Sequence, residues 1–293
     1  MSKTVLTILS ALVIVSLPMA FADLAEKIEF DSELQETLGH FWALEKNLDE
    51  NNAELALVHA THPIAELYGS MSEKLVDNPD FDAKLEQTLL DLQHKANTEV
   101  TRDEAEKAID DAKSIIAEAQ KIVIGDLANN DKFKAQLANI LLETSKVEYA
   151  EAVKDGIIEE MAEFQDGSAF VWRAKELLST MNIDSAMAQN ISSNILAVEK
   201  AYEKRASPSE VMALVDKVIA NFETISGVQS ATSDHMEEAF QSPRNQLYSG
   251  VSPNEIECKP EMVLVLNNND SRPACVTESG ADKLESLGWG TRA

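Results

Sequence analysis

Histidine is scarce in this 293-residue chain, with five copies, and three of them sit where helical spacing can gather them. His59, His62 and Glu66 fall at i, i+3 and i+7, which places them along one face of a helix. Glu36 and His40 form a second pair at i, i+4, with Glu45 near the same side. Imidazole and carboxylate together suit iron, copper or zinc. In helical bundles that hold metals, facing helices each contribute a carboxylate, often with a histidine one turn away. Glu148 with Glu151, or Glu159 with Glu163, can supply that facing partner. The set expected to hold an iron or copper ion is therefore His59, His62 and Glu66 with Glu36 and His40, closed by Glu148 or Glu163. Pro63 cuts across this pattern, because it removes a backbone hydrogen bond, kinks or ends the helix and frees the carbonyl of His59. A second reading puts His59 and His62 at a helix–helix corner, bonded to backbone carbonyls. Among 51 acidic residues, carboxylate pairs of this kind also arise by chance.

Other chemistry finds little support. There is no G-x-S-x-G elbow, no Gly-rich phosphate loop and no C-x-x-C-H haem motif, so the chain reads as a non-enzyme. Trp42, Trp172, Phe41 and Phe170 occur at helical spacing and read as core. The formal net charge of −26 disfavours nucleic acid and anionic membrane surfaces. It admits cationic partners, metal ions included, although surface carboxylate mainly confers solubility.

The first residues read as an export leader. Lys3 precedes an apolar stretch from Val5 to Met19, and Ala20-Phe21-Ala22 places small residues before a mature start at about Asp23. The apolar run is shorter than the roughly 20 residues of a membrane-spanning helix; retention as an N-terminal anchor is the alternative. In an exported chain, Cys258 and Cys275 are most simply one disulfide.

The elements that must position the candidate ligands are helical. From Asp31 to about Gly227, glycine and proline are scarce and apolar residues recur every three or four positions. Asp31-Ser32 opens a first helix, Asn51-Asn52 interrupt it, and a second runs through Leu55 towards Pro63. Asp80 caps a third, and Thr101 with Glu104 makes a capping box for a fourth. A fifth starts near Asn130-Asp131 and ends at Asp155-Gly156. A sixth spans Glu159 to Met181 and a seventh Asp184 to Arg205, while Ser207-Pro208 starts an eighth. The fold expected is all-α, an antiparallel bundle or pair of stacked bundles of about eight helices, with a small C-terminal disulfide-stapled β-hairpin and helix. The partition is residues 1–22 leader, 23–227 helical domain, 228–256 flexible linker with a short helix around His235–Phe240, and 257–293 C-terminal module. In that module Met262–Leu266 and Pro273–Val276 are the strands, and Thr277 caps a short helix that runs through Leu287 before Gly288.

Two resemblances add to this. Cys258-Lys259, Val263–Leu266, Pro273-Ala274-Cys275-Val276, Lys283-Leu284 and Gly288-Trp289 resemble a small module that ends many exported archaeal proteins. Glu261 stands where that pattern more often has Gly, and Arg272 where Ser is usual before the Pro. The match implies an envelope protein. Glu148-Tyr149-Ala150-Glu151-Ala152-Val153-Lys154-Asp155-Gly156, followed by Glu163-Phe164-Gln165-Asp166, is similar to the helical extracytoplasmic domain of oxidase-dependent iron permeases. His59 to Tyr68 also fits the early helices of such domains, giving a resemblance from roughly Asp31 to Phe222. It implies a free-standing relative that binds or hands over metal to a membrane permease, since the chain lacks the permease helices themselves. The competing expectation is a non-catalytic structural or interaction component of the envelope, with the same residues dispersed on its surface.

Overall fold

A computed structural model describes residues 16–98, 100–229, 243–248, 251–258, 262–268, 271–276, 278–286 and 288–293. The expected leader through residue 15, the helix around His235–Phe240, the cap at Thr277 and the helix end at Leu287 lie outside these residues. The helices are α1 (Ser16–Asp49), α2 (Ala53–His62), α3 (Tyr68–Glu73), α4 (Pro79–Ala96), α5 (Arg102–Val123) and α6 (Asp131–Ala152). They continue with α7 (Met161–Ser179), α8 (Ser185–Glu203), α9 (Pro208–Ser226), α10 (Pro243–Tyr248) and α11 (Glu278–Ser286).

Local chemistry accounts for most boundaries. Thr101 and Glu104 make the reciprocal capping box that starts α5. The Asn130, Asp184 and Ser207 side chains accept from free backbone N–H groups at the starts of α6, α8 and α9. Asn51 takes a positive φ of 58°, and Asn52 caps α2.

Four boundaries differ from the sequence expectation. Helix α1 begins upstream of Asp31-Ser32, at Ser16. Asp31 is fully buried and accepts from Gln35 at 2.6 Å and Gln120 at 2.9 Å, so its oxygens serve tertiary contacts rather than a helix end. Asn78 rather than Asp80 occupies the N-cap position of α4, without a side-chain capping hydrogen bond, and Pro79 stands in the first turn. Helix α6 stops at Ala152, and Asp155-Gly156 is a hairpin turn, both with positive φ (52° and 76°). It joins β1 (Val153–Lys154) to β2 (Ile157–Ile158), because two consecutive left-handed residues match the twist of paired strands.

Pro63 is the fourth. Its fixed φ is already helical, and the chain passes through a π-helical turn, Pro63–Leu67, into α3. The Tyr68 N–H reaches back to the Pro63 carbonyl, so the wider turn absorbs the lost hydrogen bond.

Helices α6, α7, α8 and α9 pack as one four-helix group, and α1, α2, α4 and α5 as another. Helix α1 lies between them, touching α2 and α5 on one side and α6 and α7 on the other. One continuous core joins the two groups, from Phe30, Leu34 and Phe41 through Leu85 and Ile109 to Phe170 and Phe222. No helix among the described residues is long and apolar enough to cross a membrane.

The C-terminal module is a three-stranded antiparallel sheet in the order β4 (Pro273–Val276), β3 (Val263–Asn267), β5 (Gly290–Arg292), with α11. Cys258 and Cys275 form the expected disulfide, Cα atoms 5.4 Å apart. The third strand was absent from the sequence reading. So was α10, which falls inside the expected linker, where Gln246 exchanges two hydrogen bonds with the Glu257 backbone. The module does not stand apart: every residue of β4 is buried, and β4 lies against α3 and the π-turn. The approach is closest at Gly69, where an added Cβ would stand 2.4 Å from the Cys275 carbonyl oxygen.

Gly69→Ala therefore drives β4 off the π-turn side of the domain. It is expected to cost about 1–3 kcal/mol, a fall in Tm of roughly 3–10 °C. Thermal unfolding checks this, and an unchanged Tm would mean that β4 does not seat on α3.

Candidate metal centre

Helix α1 delivers His40, α2 delivers His59 and His62, and α7 delivers Asp166. All four are buried, and one ligand-capable atom from each lies within 4.8 Å of the others. His40 Nδ1 is 2.8 Å and His59 Nδ1 3.0 Å from Asp166 Oδ1, while His62 Nδ1 is 3.0 Å from Oδ2. Donor atoms held about 2.0–2.1 Å from a single ion stand about 2.9–3.4 Å apart in octahedral or tetrahedral geometry, so these separations are compatible with a coordination sphere as they are with N–H···O contacts. Despite the distances, His59 Nδ1, His62 Nδ1 and both Asp166 oxygens lack hydrogen bonds of normal angle.

Local packing makes the convergence feasible. Gly39 lets α7 approach α1, since an added Cβ would meet the Phe170 ring at 2.9 Å. Phe170, one turn beyond Asp166, meets the His40 ring edge-on with centroids 5.4 Å apart. The π-turn follows directly after His62, and turns of this kind widen a helix where a site needs a side chain re-aimed.

The surrounding hydrogen bonds orient the His59 ring. Asn47 and Gln165 form a reciprocal amide pair: Asn47 Nδ2 donates to Gln165 Oε1 at 2.9 Å and Gln165 Nε2 donates to Asn47 Oδ1 at 3.2 Å. Gln165 Oε1 also lies 2.7 Å from His59 Nε2. That oxygen accepts, so His59 Nε2 carries a proton and Nδ1 is the nitrogen turned on Asp166. A metal-binding histidine is oriented through its outer nitrogen in this way.

Charge balance points in the same direction. Burial works to raise the Asp166 pKa, and His40, His59 and His62 more than reverse this, holding the carboxyl well below the usual range. Burial works to lower the His62 pKa, and Glu66 and Asp166 outweigh it, so the net direction is up, with Arg272 opposing. Asp166 is thus an anion at neutral pH, available as a ligand.

The structure places the other expected ligands elsewhere. Glu66 stays outside the inner set, its Oε1 3.9 Å from His62 Nε2, because the π-turn rotates it off the His59–His62 face. Glu163 pairs with Arg272 at 2.9 Å. Glu36 accepts from Thr144 at 3.2 Å, tying α1 to α6. Glu148 is buried on α6 beside Gly167 and bears on Tyr202, and is not among the convergent atoms. The carboxylate that closes the set is Asp166. His59 and His62 engage side chains rather than the backbone carbonyls of the corner reading. Asp166 carried a signal in the sequence: it occupies a position in the apolar stripe of α7, ahead of Ala169, Phe170, Ala174 and Leu177.

A family model described as the iron permease-associated 4-helix bundle domain matches residues 125–229. No curated protein and no solved structure matches the chain. The match runs from the turn before α6 through the end of α9, and it contains Glu148, Glu163, Gln165 and Asp166. The three histidines, on α1 and α2, precede it, so the match is shorter than the resemblance expected from Asp31 onward. Residues 125–229 resemble the iron permease-associated 4-helix bundle domain, the likeness that the Glu148–Gly156 and Glu163–Asp166 stretches imply.

Proposed function

We propose that the protein binds one first-row transition-metal ion, iron foremost and copper next, through His40, His59, His62 and Asp166. In this reading it is a binding protein and an accessory to a membrane iron permease, working outside the cytosol. The observation that carries it is the convergence of four buried side chains, His40, His59, His62 and Asp166, each with a ligand-capable atom within 4.8 Å of the others. Three imidazoles and one carboxylate suit iron, copper and zinc alike; the family match favours iron. The disulfide supports an oxidising compartment. The excess of 51 acidic over 25 basic residues draws cations towards the protein. A structural or interaction role for the envelope fits less well, because it has no use for four ionisable groups converging in a core.

Isothermal titration with Fe(II), and separately Cu(II), is expected to show one site per chain. Asp166→Ala and a His59→Ala/His62→Ala double variant are expected to weaken it by more than the roughly tenfold to hundredfold that loss of a ligand's outer partner costs. Equal affinity in all three proteins would sink the assignment. At a free ion concentration of 100 times Kd, binding adds about 2.7 kcal/mol of stability, a rise in Tm of roughly 5–10 °C.

Acid is expected to strip the ion. Protons compete for imidazole nitrogen, which in an unperturbed histidine begins near pH 6.5. The raised His62 pKa means that this residue protonates at higher pH than usual, so the loss of affinity starts above that value. Titration from pH 8 to 5 checks the sign; affinity independent of pH would exclude imidazole ligands.

A further inference from the structure

The inner ligands differ in exposure from the groups beside them, and the gradient marks a mouth. The His40, His59 and Asp166 side chains are fully buried and that of His62 is 4% exposed. The Glu66 side chain is 10% exposed, that of Glu163 13% and that of Arg272 31%. These three gather at the outer nitrogen of His62: Arg272 Nη1 stands 3.0 Å from His62 Nε2 and donates to Glu163 Oε1 at 2.9 Å, with Glu66 on the same side. We propose that Arg272 is a tethered cation that stoppers this mouth, so that a metal ion reaches the inner ligands when the guanidinium swings aside. The proposal rests on the metal-binding reading of His40, His59, His62 and Asp166.

Hydrogen-bond chemistry makes the two occupancies exclusive. A guanidinium donates and never accepts, so its contact requires a lone pair on His62 Nε2. A neutral His62 then carries its proton on Nδ1, the atom that faces Asp166 Oδ2. An ion on Nδ1 displaces that proton to Nε2, where it meets the Arg272 N–H groups, donor against donor. Gln165 holds His59 in the tautomer that a metal needs; Arg272 holds His62 in the opposite one. Loading the site must therefore break the Arg272–His62 contact, leaving the guanidinium to Glu163.

The tether is built to hold Arg272 in place while its side chain moves. Arg272 directly precedes β4, whose four residues are buried. Cys275 on β4 is bonded to Cys258, and its carbonyl abuts Gly69. The backbone at the mouth is fixed from both sides, and the long side chain is the part free to turn.

Stopped-flow mixing of the full chain with Co(II), whose absorption reports nitrogen ligation, followed by release to excess chelator, tests this. Arg272→Ala is expected to speed association by about tenfold, the factor set by losing one charge-assisted hydrogen bond that only the ion-free protein makes, and to leave release nearly unchanged. Arg272→Met, which keeps the apolar stem against β4, is expected to do the same and guards against a folding defect in the first variant. An Arg272 that merely repels cations would give an acceleration that disappears in 1 M salt, where the Debye length is about 3 Å, and that outcome, or no acceleration at all, overturns the stopper. Wild-type protein that fails to bind Co(II), Fe(II) or Cu(II) overturns the metal reading itself. Faster metal exchange in wild type than in both variants also refutes the proposal.

Discussion

The constraint on which the rest of the structure turns is the burial of one carboxylate opposite three imidazoles. Asp166 has no exposure, and an ionised group in that position costs several kcal/mol unless it is compensated. Apolar packing cannot supply the compensation, and with no hydrogen bond of normal angle to either Asp166 oxygen it falls to the three imidazoles. Gln165 turns the His59 ring so that its Nδ1 faces that negative charge. A helical core that places such groups together bears an electrostatic cost that a cation removes, which is why the cluster reads as a vessel for an ion rather than as a polar staple.

The centre is shared between two helix groups. The region resembling the iron permease-associated domain contributes Asp166 and Gln165, while α1 and α2 contribute the imidazoles and Asn47. Neither group holds a site alone. The contacts that seat α1 on α7, Gly39 against Phe170 and Asn47 against Gln165, are therefore also the contacts that set ligand geometry. A change in how the groups dock moves the imidazoles relative to the carboxylate, and ligand sets tolerate displacements of only a few tenths of an ångström. The polar bond from Arg173 to Gln35, which carries on to Asp31, works further along the same interface.

Much of the fold was legible because helix periodicity and capping residues are local signals. The Thr101 box, the Asn130 and Asp184 caps and the Ser207-Pro208 start are set by residues within one turn of each other. The failures were non-local. Asp31-Ser32 looks like a helix start until Gln120, far along the chain, is seen to bind Asp31. Asp155-Gly156 serves as well in a left-handed cap as in a hairpin turn. Pro63 breaks a regular helix, yet a π-turn leaves it in line. At the site, the three histidines were legible from scarcity and spacing. Asp166 was not singled out, since spacing alone cannot tell one acid among 51 from another. The better question for a carboxylate is whether it interrupts an apolar stripe, as Asp166 does on α7 and Asp31 does on α1.

The C-terminal module is set apart by its composition and held by its packing. Its composition marks it as separate, and a unit that small buries too little to be stable alone. The disulfide, worth about 3 kcal/mol for a loop of this length, covers part of the deficit, and seating β4 against α3 and the π-turn covers more. The surface it seats on is the one that follows His62. Docking energy and ligand geometry are consequently stored in the same few residues. Linkage then applies in both directions: any ion that weakens the Arg272–His62 contact loosens the module by the free energy with which the module resists the ion. A disulfide-braced strand on that contact keeps the module docked while the side chain yields, which confines the response to the mouth instead of spending it on unfolding.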